Sequence, residues 1–366
     1  MTTTNPASPA TPLAPPDPSL IAETVATKLP VHGELAALVQ LAGDASNRRY
    51  FRITLKGASA SFILMQLADP EGFKKSEEAV SGASAPITEL PFINVLRHLS
   101  RTGVTVPQLH HYDREAGLLY LEDFGDLTLA EACLHADRAE VESLYRRAID
   151  QLVQFQVKGT QPPDQGCIAF HRRFDVPLLM WEFDHFLEYG IAVRSGQPMK
   201  PSDDAAVRAE FQRIAEVLAG QPQVFVHRDY HSRNLMVEGS RIGIIDFQDA
   251  LLGPATYDLA SLLKDAYIEL DEAVVAGLID HFLDGLAGYG QGWADRTAFR
   301  RLFDLTSIQR NLKAAGRFVY IDRVKHNPKF LADIPRVLGY VTRNLSKYPE
   351  LETLRRHLAP YVAELQ

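Results

Sequence analysis

The residues best suited to chemistry stand in one run, His227-Arg228-Asp229-Tyr230-His231-Ser232-Arg233-Asn234, directly after the apolar stretch Val224-Phe225-Val226. A second apolar stretch, Ile242-Gly243-Ile244-Ile245, runs into Asp246-Phe247-Gln248-Asp249. A carboxylate, a carboxamide and a second carboxylate therefore leave the ends of two short strand-like segments. Phosphoryl transfer to a hydroxyl needs this set. Asp229 is suited to orient the attacking hydroxyl and accept its proton. Asn234 and Asp246 offer the oxygen ligands that a hard cation, Mg²⁺, takes while keeping several waters and bridging to a triphosphate. Singly, each Asp reads equally as a turn carboxylate at a strand end. The spacing His-x-Asp-x-x-x-x-Asn, followed by strand-Asp-Phe, favours the chemical reading.

The elements that must position these residues fall into two groups. Residues 35–41, 48–55 and 61–67 read as strands, the second with Phe51, Ile53 and Leu55 on one face. Residues 88–100 place Phe92, Val95, Leu96 and Leu99 at helical spacing, and residues 117–121 read as another strand. After the polar crossing 122–126 the pattern turns helical, at 139–158, 175–190, 203–219, 271–287, 296–318 and 350–363. Only the strands 224–226 and 242–245 interrupt it. Strands first and helices later predict an α+β protein of two lobes. The small β-rich N-lobe covers 21–122, a hinge 123–127, and the larger, mainly α-helical C-lobe 128–366. A ligand is expected where the lobes meet. Residues 1–20, rich in Pro, Ala, Ser and Thr, read as a disordered tail.

Bulk properties exclude other classes. A net charge of -8 gives no overall field for nucleic acid. No apolar run reaches about 18 residues, so no membrane span is expected. The N-terminus lacks the basic start and apolar core of a secretory signal. Cys133 and Cys167 form neither a disulfide framework nor a zinc pattern and read as reduced thiols of a cytoplasmic protein.

The run at 227–249 resembles the catalytic and metal loops of protein kinases and the aminoglycoside phosphotransferase-like kinases. The resemblance covers roughly residues 30–350. It implies ATP and Mg²⁺, with Asp229 catalytic, His227 bracing the loop, and Asn234 and Asp246 on the metal. Gln248 stands where protein kinases have Gly. Within the superfamily, GPATYDLASLLKDAYIEL (253–270), HSRNLM (231–236) and QRNLKAAGRFVYID (309–322) resemble the anomeric sugar kinases of bacterial cell-wall recycling. Those kinases phosphorylate the C1 hydroxyl of N-acetylmuramate and N-acetylglucosamine.

On the nucleotide side, Gly43, Asp44, Ser46, Asn47, Arg48 and Arg49 lie between two strand-like segments and form either a phosphate-cradling loop or a plain hairpin turn. Where protein kinases carry a third-strand lysine, this chain has Gln66. The missing cation then comes from Arg48 or Arg49, or the metal carries more of the load. Glu122 and Phe124 resemble the hinge that meets adenine. On the acceptor side, Asp258 reads as an early helix residue bracing the catalytic loop, with Thr256 as the helix N-cap. Arg172 and Arg173 form one basic cluster. Arg310, Lys313 and Arg317 form another on one helix face, suited either to an acidic acceptor or to solvent. Glu182, Asp184 and His185 are candidates for sugar hydroxyls. Rival readings are a kinase of an aminoglycoside, homoserine or amino alcohol, and a nucleotide-binding pseudokinase scaffold.

Overall fold

The computed structural model describes residues 14–41, 48–67 and 89–366. It divides into two compact units, Met1–Gly72 with Pro107–Asp123 and Phe73–Val106 with Phe124–Gln366.

The first unit is a five-stranded antiparallel sheet with one helix. Helix α1 (Pro18–Thr27) precedes β1 (Leu35–Gln40), β2 (Arg49–Leu55), β3 (Ser61–Gln66), β4 (Leu109–Asp113) and β5 (Leu118–Glu122), in the order β1-β2-β3-β5-β4. The register pairs Phe51 with Leu64 and Ile53 with Phe62. The alternation in β2 thereby joins β3 in one apolar face, completed by Leu118 and Tyr120. Helix α1 covers that face with Ile21 and Val25, and Leu29 follows just beyond it. Each such side chain contributes roughly 1.5–3 kcal/mol on burial. The expected tail through residue 20 is corrected here. Asp17 accepts from Ser19 N at 2.8 Å as N-cap, and Pro18 begins the helix with its fixed φ. Strand β4 escapes the sequence pattern because all five of its residues are half-buried.

The second unit is mostly helical. It contains α2 (Pro91–Thr102), α3 (Leu129–Leu134), α4 (Arg138–Thr160), α5 (Val176–His185), a π-helical continuation at Phe186–Val193, and α6 (Pro201–Ala219). Two ribbons follow, β6 (Gln223–Val226) with β9 (Leu251–Pro254) and β7 (Leu235–Glu238) with β8 (Arg241–Ile244). Helices α7 (Thr256–Leu263), α8 (Glu272–Gly288), α9 (Arg296–Lys325), α10 (Ile334–Lys347) and α11 (Glu352–Leu358) complete it. The last is shorter than the expected 350–363, because a 3-10 turn at Pro349–Leu351 leads into it and Pro360 lies beyond its end. Helix α9 is the spine of this unit, with every residue from Leu302 to Leu312 buried. Gly316 lets it approach the π-helical segment: a Cβ there would lie 2.8 Å from the Phe186 Cα. Both cysteines are free thiols. No described helix is long and apolar enough to cross a membrane.

Candidate active site

The run 227–234 is the loop between β6 and β7, and α7 braces it. Asp258, fully buried in the first turn of α7, accepts from the backbone N–H of His227 (2.7 Å) and of Arg228 (3.0 Å). Arg228 takes a left-handed backbone, φ 78°, which costs a non-glycine residue roughly 1–2 kcal/mol. These contacts over-determine that conformation. Burial pushes the Asp258 carboxyl up to about 6, against the two backbone N–H bonds and the charge of Arg310. Thr256 is not the N-cap. Ala255 precedes the helix with no side-chain cap, and Thr256 Oγ1 turns inward to Thr306 Oγ1 at 2.7 Å.

His227 has both ring nitrogens occupied by the backbone. Nε2 lies 2.8 Å from the Ile245 carbonyl, and Nδ1 accepts the Asp229 N–H at 3.2 Å. A carbonyl only accepts and an amide N–H only donates, so the proton sits on Nε2 and the ring is neutral. It links the catalytic loop to the end of β8 and has no nitrogen left for a substrate proton.

Asn234 closes the loop. Its Nδ2 donates to the Asp229 carbonyl at 2.9 Å, and its own carbonyl accepts from Ile245 N at 3.1 Å. Since Leu235 pairs with Ile244 in the β7–β8 register, Asn234 stands opposite Ile245, one residue before Asp246. Asp246 also has a left-handed backbone, φ 64°, and its Oδ1 accepts from Gln248 Nε2 at 3.1 Å. Phe247 is buried and stacks on Phe92 of α2, ring centroids 5.0 Å apart. Two consecutive hydrogen bonds thus tie Asp229 to Asn234 and Asn234 to Ile245, the residue before Asp246. With Asn234 Nδ2 used on the loop, its Oδ1 remains as an oxygen donor on the residue opposite Ile245, next to Asp246 in the chain. A carboxamide oxygen and a carboxylate fit a hard, water-retaining cation better than a soft one. Among the described residues no cluster of three or more His, Cys, Asp or Glu could hold a metal.

Asp229 lies deep in the unit yet keeps an exposed surface, as a group on the floor of a depression does. Burial works to raise its pKa, but Lys313 foremost, with Arg228 and Arg310, holds the carboxyl well below the usual range. It is ionised at neutral pH.

Several contributors have no local motif. Asp265, fully buried, accepts from Ser232 N (2.8 Å) and Tyr267 N (3.0 Å), bracing the loop from the other side. Nothing in the sequence sets it apart from the neighbouring acids Glu269, Asp271 and Glu272. Glu182, also fully buried, receives Arg228 Nη2 (3.2 Å), Lys313 Nζ (3.0 Å), Gln309 Nε2 (2.8 Å) and Tyr257 OH (3.3 Å). Burial would raise its pKa, but Lys313 and Arg228 overcome that and keep it low; Glu182 in turn raises Lys313. Glu182 therefore does not present itself to a sugar hydroxyl; its acceptor capacity is filled within the protein. Asp184 lies on the surface in an ion pair with Arg208. His185 sits among Trp181, Tyr189 and Tyr320, with ring centroids 5.9, 4.8 and 5.4 Å away.

The basic clusters do not behave as units. Arg172 is buried while Arg173 is exposed, as alternation along an extended chain dictates. On α9, Arg310 and Lys313 turn inward, which excludes the solvated-face alternative for both, and Arg317 packs over the Tyr320 ring at 4.8 Å. In the first unit, Gln66 Nε2 donates to the Ala14 carbonyl at 3.0 Å, and Arg49 Nη2 donates to Gln40 Oε1 at 2.9 Å. The Glu122 carboxylate accepts the Gln108 N–H at 3.1 Å. Phe124, in the second unit, is buried, its ring seated where a Gly243 Cβ would be 2.5 Å away. Gly43, Asp44, Ser46 and Asn47 lie outside the described residues, and Arg48 begins the next described stretch.

Such a loop pair on such a fold defines the protein-kinase-like small-molecule kinases. The model of the phosphotransferase enzyme family matches residues 37–299, and the chain belongs to that family. It is 34% identical to an N-acetylmuramate/N-acetylglucosamine kinase of Pseudomonas putida, over 91% of this chain and 90% of that one. Its identity to the like-named protein of Neisseria meningitidis serogroup B is 30%, over 88% and 90%. Among solved structures, the amicoumacin kinase hAmiN in complex with AMP-PNP, Ca²⁺ and Ami superposes with a TM-score of 0.57 at 16% identity, covering 91% of this chain and 94% of that one. A choline/ethanolamine kinase family protein from Mesorhizobium loti gives 0.54 at 17%, covering 95% and 98%. At these identities the structures support the fold.

Proposed function

We propose that this protein transfers the γ-phosphoryl group of ATP to the anomeric C1 hydroxyl of an N-acetylated amino sugar, N-acetylmuramate or N-acetylglucosamine or both, in cytoplasmic peptidoglycan recycling. The observation that carries the reaction type is the tie from Asp229 through Asn234 to the strand end bearing Asp246. The acceptor is supported by the names of relatives that align over about nine-tenths of both chains.

In this reading Asp229 holds the sugar hydroxyl. The hydroxyl oxygen forms the new bond to phosphorus, the bond from phosphorus to the bridging oxygen of ADP breaks, and the hydroxyl proton passes to Asp229. A carboxylate kept ionised by nearby cations is a weak base, so proton transfer comes late, after the leaving bond has largely broken. An anomeric hydroxyl, more acidic than an ordinary alcohol, suits a weak base. Asn234 and Asp246 would hold Mg²⁺, which neutralises charge on the phosphates. Most of the acceleration comes from positioning and fixed charge. The braces from Asp258, His227 and Asp265 supply the positioning. The cations around Asp229 favour a neutral or acidic acceptor over the cationic aminoglycosides and amino alcohols.

A panel of acceptors with Mg·ATP, read by phosphorus NMR, tests the proposal. The expected product carries its phosphate on the anomeric carbon, seen as three-bond coupling of phosphorus to the anomeric proton. Turnover confined to a cationic acceptor would overturn it.

A further inference from the structure

Arg310 is a buried cation that makes no ion pair or hydrogen bond among the described residues. The residue is only 7% exposed, and its Nε and Nη1 are buried without a hydrogen-bond partner. Its neighbour one turn along α9, Lys313, is taken up by Glu182 and Tyr257, and Arg228 by Glu182. Asp258 is filled by two backbone N–H groups. Buried ions in proteins are paired or hydrogen-bonded as a rule. An arginine is a poor choice for an idle position, since it stays charged and presents two edges suited to a carboxylate.

We infer that Arg310 is a specificity-determining residue that receives an acidic substituent of the acceptor sugar. The inference rests on the amino-sugar reading above and deepens it. Arg310 lies one turn from Lys313, whose partner Glu182 also holds Arg228, the residue next to Asp229. An acidic sugar brought to Asp229 meets like-charge repulsion there. A guanidinium with open valences in the same place offsets that repulsion and fixes the sugar's orientation. Nη2, which also has no partner, is the nitrogen left with solvent contact, so a carboxylate reaching it meets Nε or Nη1 on the same edge. N-acetylmuramate and N-acetylglucosamine differ by such an acidic group, a lactyl ether, so the pair is a matched probe of this position.

The test compares kcat and KM for both sugars, with Mg·ATP, in the wild type, Arg310→Met and Arg310→Lys. The readout is the selectivity ratio, kcat/KM for N-acetylmuramate over kcat/KM for N-acetylglucosamine. Arg310→Met is expected to lower that ratio on the order of 10²-fold, mainly through KM for the acidic sugar, as loss of a charge-assisted pair does. Arg310→Lys restores part of it, since a point charge replaces a planar fork. Melting in the absence of ligands is a control with its own sign. Removal of an unpaired buried charge leaves Arg310→Met no less stable than the wild type, and a variant that fails to fold would show Arg310 to be a structural residue. An unchanged ratio in both variants overturns the inference, as does an equal fall in kcat for both sugars, which would assign the guanidinium to the transferred phosphoryl group. Wild-type turnover of neither sugar would end the amino-sugar reading itself; turnover of both without an Arg310-dependent ratio ends only this inference.

Discussion

The loop at 227–234 and the network around Glu182 meet at Arg228, yet they are built on opposite principles. The loop between β6 and β7 is held mainly by backbone groups. Asp258, His227, Asn234 and Asp265 each bond to main-chain atoms, so the loop's shape survives changes in most of its side chains. The network around Glu182 is held by side chains alone, from α5, the loop, α7 and α9. A backbone scaffold fixes geometry once for a whole family of reactions. A side-chain network of buried charges has no such backbone support, so loss of one member leaves the others unpaired.

Breaking the network should therefore disturb stability most. Glu182→Ala leaves Arg228 and Lys313 facing each other in the interior, and is expected to lose about 3–5 kcal/mol in denaturant unfolding. A loss below about 1 kcal/mol would show that water or rearrangement compensates. On the loop, Asp229→Ala and Asp246→Ala are each expected to lower kcat at least about 10²-fold, or ~2.7 kcal/mol, with melting little changed. Near-wild-type turnover of either folded variant would remove the assigned role.

Gly316→Ala, at the close approach of α9 to the π-helical segment, should cost about 1–3 kcal/mol of stability, because the new Cβ meets backbone rather than a movable side chain. A neutral effect on the melting temperature would mean that the two helices separate easily.

The smallest effect is one of pH. With its folded pKa raised to about 6 from an ordinary 3.8, Asp258 stabilises the fold fully below about 3.8 and loses that contribution as pH rises through about 6. Protonation at the same time weakens it as acceptor for His227 and Arg228. Turnover should thus fall a few-fold as pH drops through about 6, while this residue's contribution to stability grows. Parallel pH profiles of kcat and of unfolding, in the wild type and Asp258→Asn, read the two signs separately.

The same contrast governs what the sequence disclosed. The loop was legible because its parts lie within one stretch, 224–264, with a spacing that few other structures need. Strands β7 and β9 escape the reading beside it, β7 with three apolar residues between Asn234 and Glu238, β9 because Gly253 and Pro254 read as a turn. The Glu182 network draws on residues 182, 228, 257, 309 and 313, and no periodicity joins them. Glu182 itself looked like a sugar-binding acid because burial, not residue type, decides what a carboxylate can touch. Helix α1 was hidden by the proline-rich composition before it, although Asp17-Pro18 is a good helix start. Helix α10 carries both Pro335 and Gly339, which mask its apolar stripe.

The central claim is that Asn234 and Asp246 hold a cation against the nucleotide beside Asp229. Calorimetric titration of AMP-PNP into the wild type and Asp246→Ala, each with Mg²⁺ and with a chelator, tests it most directly. Mg²⁺ should tighten nucleotide binding to the wild type, and Asp246→Ala should abolish that gain while retaining the weaker, metal-free binding. A variant whose binding responds to Mg²⁺ as strongly as the wild type's would contradict the account.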